Sequence, residues 1–155
     1  MKKKKLLCNR DEKAALVERL KRVRPDSARK WGRMTSHQMV CHLSDSFRSV
    51  TGERESSEVS TAISRTVVKY IALRVPLPWP KGIKTLPESD QEIGGTKPVE
   101  FERDVRDLEE LVERFTCDGR ESQRWRHPIF GRMSDDDWQR WGYLHMDHHL
   151  RQFGV

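Results

Sequence analysis

The sequence predicts an all-α protein, an antiparallel four-helix bundle with one accessory helix and a long Pro/Gly-rich loop. Three observations predict it. Apolar residues recur at three- and four-residue spacing in several segments, the signature of a helix with one buried face. Ser, Thr, Asn and Asp stand just ahead of those segments, where their side chains accept the first free amide protons of a helix. Charged residues make up 35% of the 155 residues, above the ~25% of an ordinary chain. They alternate in sign, as in Arg103-Asp104-Val105-Arg106-Asp107, and such mixed charge belongs to solvated helix faces.

The elements follow in order. Residues 1–9 are expected to form a flexible basic tail around the run Lys2 to Lys5, and residues 10–155 a single domain. Asn9 or Asp11 caps a first helix through Ala14, Leu16, Leu20 and Val23, which ends before Pro25. Thr35 or Ser36 opens a second, from Ser36 to Val50, closed near Gly52. The accessory helix is expected over Ser60 to Arg74, on Ile63, Val67 and Ile71, although Val67-Val68 is a β-branched pair. Prolines and glycines from Pro76 to Pro98 exclude regular structure. A loop of that length in a compact domain often covers or borders a binding site, so it is expected to act as a lid. Val99 to Phe115 returns to helix. A connection follows from Cys117 to Met133, and Ser134 caps a last helix that runs to about Phe153. Asp135, Asp136 and Asp137 suit its positive end.

The formal net charge is +6. Because acids and bases are interleaved, nucleic-acid binding is not expected; that function needs clustered bases with exposed aromatics. No segment approaches the ~20 apolar residues of a membrane span, and no signal-peptide apolar region follows the N-terminal lysines. Cys8, Cys41 and Cys117 are odd in number and widely spaced, which points to a reducing, cytoplasmic compartment.

The histidines carry the chemistry. Within His145-Met146-Asp147-His148-His149, the first and last differ by only ~40° on a helix and share one face. Trp138, Trp141, Gly142 and Gln152 lie on that same face, so both imidazoles are expected to point inward. Two inward imidazoles one turn apart can grip a metal ion, or be two hydrogen-bonded core histidines; the pair alone is a weak signal. His148 sits about 80° away, a flank position. His42, on the second helix, projects from a polar seam of Thr35, Gln38, Asp45, Ser46 and Ser49. That seam either faces water or lines a cavity; facing the last helix, His42 completes a three-histidine set. Three imidazoles suit zinc, nickel, copper or iron and leave a position open. Ligand histidines normally donate their second N–H to an acceptor. Asp45 and Gln152, each three residues beyond a histidine, are the candidates, and Asp45 could instead ligate directly. His37 is expected to be exposed, His127 to be an ordinary loop histidine, and Cys41 to be packed.

Two segments carry a resemblance: Trp31-Gly32-Arg33-Met34-Thr35-Ser36-His37-Gln38-Met39-Val40-Cys41-His42-Leu43-Ser44-Asp45 and Leu144-His145-Met146-Asp147-His148-His149-Leu150-Arg151-Gln152-Phe153-Gly154. With them the chain resembles the DinB-like (YfiT-like) superfamily of four-helix-bundle metalloenzymes. Through His127-Pro128-Ile129-Phe130-Gly131 and Trp138 it is similar to a domain-of-unknown-function branch. The resemblance covers nearly the whole chain and implies nickel or zinc on His42, His145 and His149. It also implies chemistry of the thiol-dependent transferase or hydrolase-like kind, with a low-molecular-weight thiol as a further cofactor. A small-molecule substrate is the expected partner, and a homodimer is left open. The alternative function is a non-catalytic module that binds a metal or a small molecule. Arg33, Lys81 and Lys84 are unranked candidates for holding an anionic substrate.

Overall fold

In a computed structural model of the chain, residues 4–117 and 125–155 are described; Lys2, Lys3 and part of the Cys117 to Met133 connection lie outside them. Five α-helices and no strand occur among the described residues: α1 Arg10–Leu20, α2 Ser36–Val50, α3 Lys69–Arg74, α4 Phe101–Cys117 and α5 Asp135–Gln152. None is long and apolar enough to cross a membrane.

Local chemistry explains where the helices begin. The Asn9 side chain accepts from the amides of Asp11 and Glu12. Thr35 and Gln38 form a reciprocal capping box at the start of α2, which satisfies two otherwise free donors at once. Ser134 accepts from Asp137 N at the start of α5. The ends are less uniform. α1 stops at Leu20, with amide bonds from Arg22 to Arg19 O and Val23 to Leu20 O tightening its last turn. Val23, expected inside the helix, is still buried beyond it. The accessory segment is regular α-helix only from Lys69; Ser64–Val68 is a wider π turn. Thr66, Val67 and Val68 are β-branched and crowd an α turn, and the wide turn falls on them.

α2 packs mainly against α4, α1 against α5, and α5 also meets α2 and α3. One apolar cluster joins them, with Leu16, Met39, Leu43, Phe47, Leu108, Trp138, Met146 and Leu150 all shut off from solvent. Phe47 sits edge-on to Phe115 and Trp141, which locks α2, α4 and α5 together. Edge-to-face aromatic pairs of this kind add about 0.5–1.5 kcal/mol beyond the area they bury.

The basic tail is shorter than expected. Leu7 is fully buried and its amide donates to Gln139 O at 3.0 Å. Arg140 Nη1 holds Lys5 O at 3.0 Å. The reason is Gly142: a Cβ there would stand 2.8 Å from Leu7 Cδ2, so its absence opens a socket on α5 for the leucine. Leu7→Ala should therefore behave as a core truncation and lower stability by about 2–4 kcal/mol. Urea denaturation checks this; a change within about 0.5 kcal/mol, the range of ordinary surface substitutions, contradicts it.

Candidate metal centre

α2 and α5 present His42, His145 and His149 to one another. The ring centroids lie 5.2 Å apart for His42 and His145, 4.7 Å for His42 and His149, and 5.0 Å for His145 and His149. One ring nitrogen from each falls within 4.8 Å of the others, a group able to hold a metal ion. His42 and His149 are buried, and His145 is half-buried. Burial holds all three below the ordinary histidine range, His145 and His149 well below, and each ring's neighbours among the histidines add to the effect at those two. Neutral imidazole is the form that binds metal.

Hydrogen bonds decide which nitrogen carries the proton. His42 Nδ1 lies 2.9 Å from Ser89 O. A carbonyl only accepts, so Nδ1 bears the hydrogen and a neutral His42 turns a bare Nε2 toward the other two rings. His149 Nδ1 lies 2.9 Å from Gln152 Oε1. The amide cannot be turned about, because Gln152 Nε2 donates to Trp31 O at 2.9 Å. His149 Nε2 is therefore bare as well. Gly32 makes room for this relay: it has φ +76°, and a Cβ there would fall 2.7 Å from Gln152 Nε2. His145 Nε2 is 3.2 Å from His42 Nε2, while its Nδ1 is buried without a partner. Two lone pairs turned toward one group of rings fit a site able to hold an ion.

Asp45 does not stand behind His42. The acceptor there is Ser89 O, from the 3₁₀ turn Pro87–Ser89. The fully buried Asp45 carboxylate instead accepts from Thr96 N at 2.8 Å, Thr96 Oγ1 at 2.6 Å and Gln91 Nε2 at 3.1 Å. Three residues along a helix put it near His42, but the Pro/Gly-rich segment comes between them and takes its oxygens. Asp45 makes no hydrogen bond to His42; it pins the segment that carries Ser89, and its charge acts on the His42 ring through space.

The same segment crosses the triad elsewhere. The Trp79 ring lies 6.0 Å from His145 and 6.1 Å from His148, with Trp79 Nε1 tied to Ala72 O at 2.9 Å. Trp31 sits edge-on to His148 at 5.8 Å, and Lys81 Nζ stands 4.6 Å over the Trp31 ring. His148 is thus on the flank, packed between tryptophans, with its ring 5.1 Å from that of His149. Arg33 is engaged by Asp90 and Glu92. No periodic signal marked Ser89, Trp31 or Trp79, whose roles arise from contacts distant along the chain.

Two other histidines have definite places. His37, expected to be exposed, is half-buried and bonded through Nε2 to Asp104 Oδ2 at 2.6 Å. It lies off the triad face, as expected, but α4 covers it. His127 is buried in its loop, where Nδ1 accepts from the amides of Ile129 and Phe130, both at 3.1 Å. Burial pushes its pKa down to about 3.

Fold and site together define an all-helical protein with a buried three-histidine group able to hold a metal. The chain belongs to the DUF1569 family, described as a protein of unknown function, whose family model matches residues 1–154. No curated protein and no solved structure matches it.

The His127 geometry makes a pH prediction. Protonating Nδ1 destroys its acceptor role, so the folded state resists a proton that the unfolded chain accepts below about 6.5. Stability should fall as pH drops from 6.5 toward about 3, with this residue adding up to about 1.4 kcal/mol per pH unit. In His127→Asn the slope of urea stability against pH should be shallower by a resolvable fraction of that amount. An unchanged slope contradicts the assignment.

Proposed function

We propose that this chain is a metal-dependent enzyme of the DinB-like type, an antiparallel four-helix bundle in which His42, His145 and His149 hold one divalent ion, zinc or nickel. The observation that carries the reading is the pair of bare Nε2 atoms that Ser89 and Gln152 impose on His42 and His149. Three protein ligands leave coordination open, as in catalytic rather than structural zinc sites. A bound ion there supplies Lewis acidity, activating a water or a small thiol near neutral pH for hydrolase-like or thiol-dependent transfer chemistry.

The chain's own residues do the rest. Ser89 O and the Gln152 amide orient two rings. Trp79 and Trp31 shield the site from bulk water, which strengthens every electrostatic interaction inside it. His145 is the least buried of the triad, and the Trp79 ring packs 6.0 Å from its ring. Lys81, held over the Trp31 ring that packs on His148, is the positive charge this reading offers an anionic small-molecule substrate. A second reading, a non-catalytic metal- or small-molecule-binding module, is favoured by the burial of His42 and His149, at 6% and 9% exposure.

Titration of metal into tag-free apoprotein tests the site. His42→Ala, His145→Ala and His149→Ala should each weaken one equivalent of metal by more than about 100-fold. Gln152→Ala should cost about 10–100-fold, as loss of a ligand-orienting partner does, and His148→Ala much less. Equal losses for His148→Ala and His145→Ala, with none for His42→Ala, contradict the triad.

The cover makes a separate kinetic prediction. Trp79→Ala should speed chelator stripping of the bound metal several-fold with little change in affinity, and the 76–98 segment should exchange amide hydrogens faster than α2 and α5. Stripping at the wild-type rate contradicts a lid.

A further inference from the structure

A second cluster of metal-binding side chains lies where α2 meets the start of α4, apart from the triad. His37 Nε2 is 2.6 Å from Asp104 Oδ2, and Cys41 Sγ is 3.7 Å from the same oxygen. His37 and Cys41 are one helical turn apart on α2 and share a face. One donor atom from each of the three residues falls within 4.8 Å of the others. The three differ in kind: an imidazole nitrogen, a sulfur and a carboxylate oxygen. Cys41 is buried, whereas the His37 and Asp104 side chains keep 19% and 16% exposure. An ion has a way in, and a water can complete its shell.

We infer that His37, Cys41 and Asp104 form a second metal site, for a zinc-type borderline-soft divalent ion, that bolts α2 to α4. A tetrahedral zinc with S, N and O ligands sets its donors about 3.4–3.6 Å apart. The sulfur-to-oxygen distance already matches. The His37 to Asp104 distance needs to open by about 0.8 Å, and both belong to side chains with freedom on the solvent side. The ion displaces the thiol proton of Cys41 to bulk water. A neutral His37 changes tautomer: the Nε2 proton that faces Asp104 leaves to solvent, Nδ1 takes up one proton from solvent, and Nε2 is free to bind the ion. No bond other than these is made or broken, and no oxidant or reductant is needed. Phe101, edge-on to His37 at 5.3 Å, holds the ring in this orientation. Asp104 Oδ2 also accepts from Val99 N at 3.2 Å, so the carboxylate is anchored to the turn that opens α4.

The test uses cobalt(II) alone as the probe, because a thiolate ligand gives cobalt a charge-transfer band in the near ultraviolet and a histidine ligand does not. Cys8 and Cys117 are exposed, so Cys8→Ser/Cys117→Ser full-length protein leaves Cys41 as the sole thiol. Cobalt added beyond the one equivalent that the triad takes should develop the band. Cys41→Ser should abolish it, His37→Ala should weaken its midpoint at least about tenfold, and His42→Ala or His145→Ala should leave it in place. Since the triad holds no sulfur, loss of triad binding and loss of this site read out separately. Absence of the band at saturating cobalt overturns the site. So does a band whose midpoint His37→Ala does not move, and that arm still decides the matter if Cys41→Ser does not fold.

Discussion

Three neutral imidazoles buried against one another are the constraint around which this structure is arranged. Each has two nitrogens, and a buried nitrogen without a partner costs about 1–3 kcal/mol. The protein supplies acceptors to the outer nitrogens of His42 and His149, leaves His145 Nδ1 without one, and sets His42 Nε2 3.2 Å from His145 Nε2. The outer acceptors come from opposite sides: Ser89 O from the Pro/Gly-rich segment, and Gln152 Oε1 from the end of α5. Both are themselves held, one through the Asp45 anchor on Gln91 and Thr96, the other through Trp31 O. The scaffold thus spends its polar contacts on fixing tautomers, which makes sense when the inner lone pairs have an ion to meet.

The packing serves the same end. Phe47, Phe115 and Trp141 join α2, α4 and α5 in a chain of edge-on contacts, and the Trp141 ring stands 5.1 Å from that of His145. His127 reaches the same tryptophan from its loop at 5.3 Å. The floor of the site is therefore a rigid aromatic layer, while its roof is a segment whose regular structure is confined to one short turn. In the proposed metal site this packing is what would keep the ligand rings in place.

Much of this was legible in the sequence where the signal is local. Thr35 with Gln38, and Ser134 ahead of three aspartates, mark helix starts by chemistry acting within one turn, and α2 and α5 begin where those residues require. Helical phase placed His145, His149 and Gln152 on one inner face because a regular helix leaves little freedom. Phase could not say what α2 would meet: His37 looked exposed until α4, with Asp104, covered it. Asp45 looked like the partner of His42 because spacing along a helix is readable, whereas the path of an aperiodic loop is not. Leu7 was lost in a lysine-rich context, and its socket depends on the missing side chain of Gly142, some 135 positions away in the chain.

The most direct test of the account is the position of the ion. Crystals of tag-free protein grown with zinc or nickel, with diffraction collected across the absorption edge of that metal, should show an anomalous peak between α2 and α5. It should lie about 2.0–2.1 Å from one ring nitrogen each of His42, His145 and His149, with a non-protein ligand completing the shell. A metal found only on surface histidines, with the three buried rings merely hydrogen-bonded to one another, would contradict it.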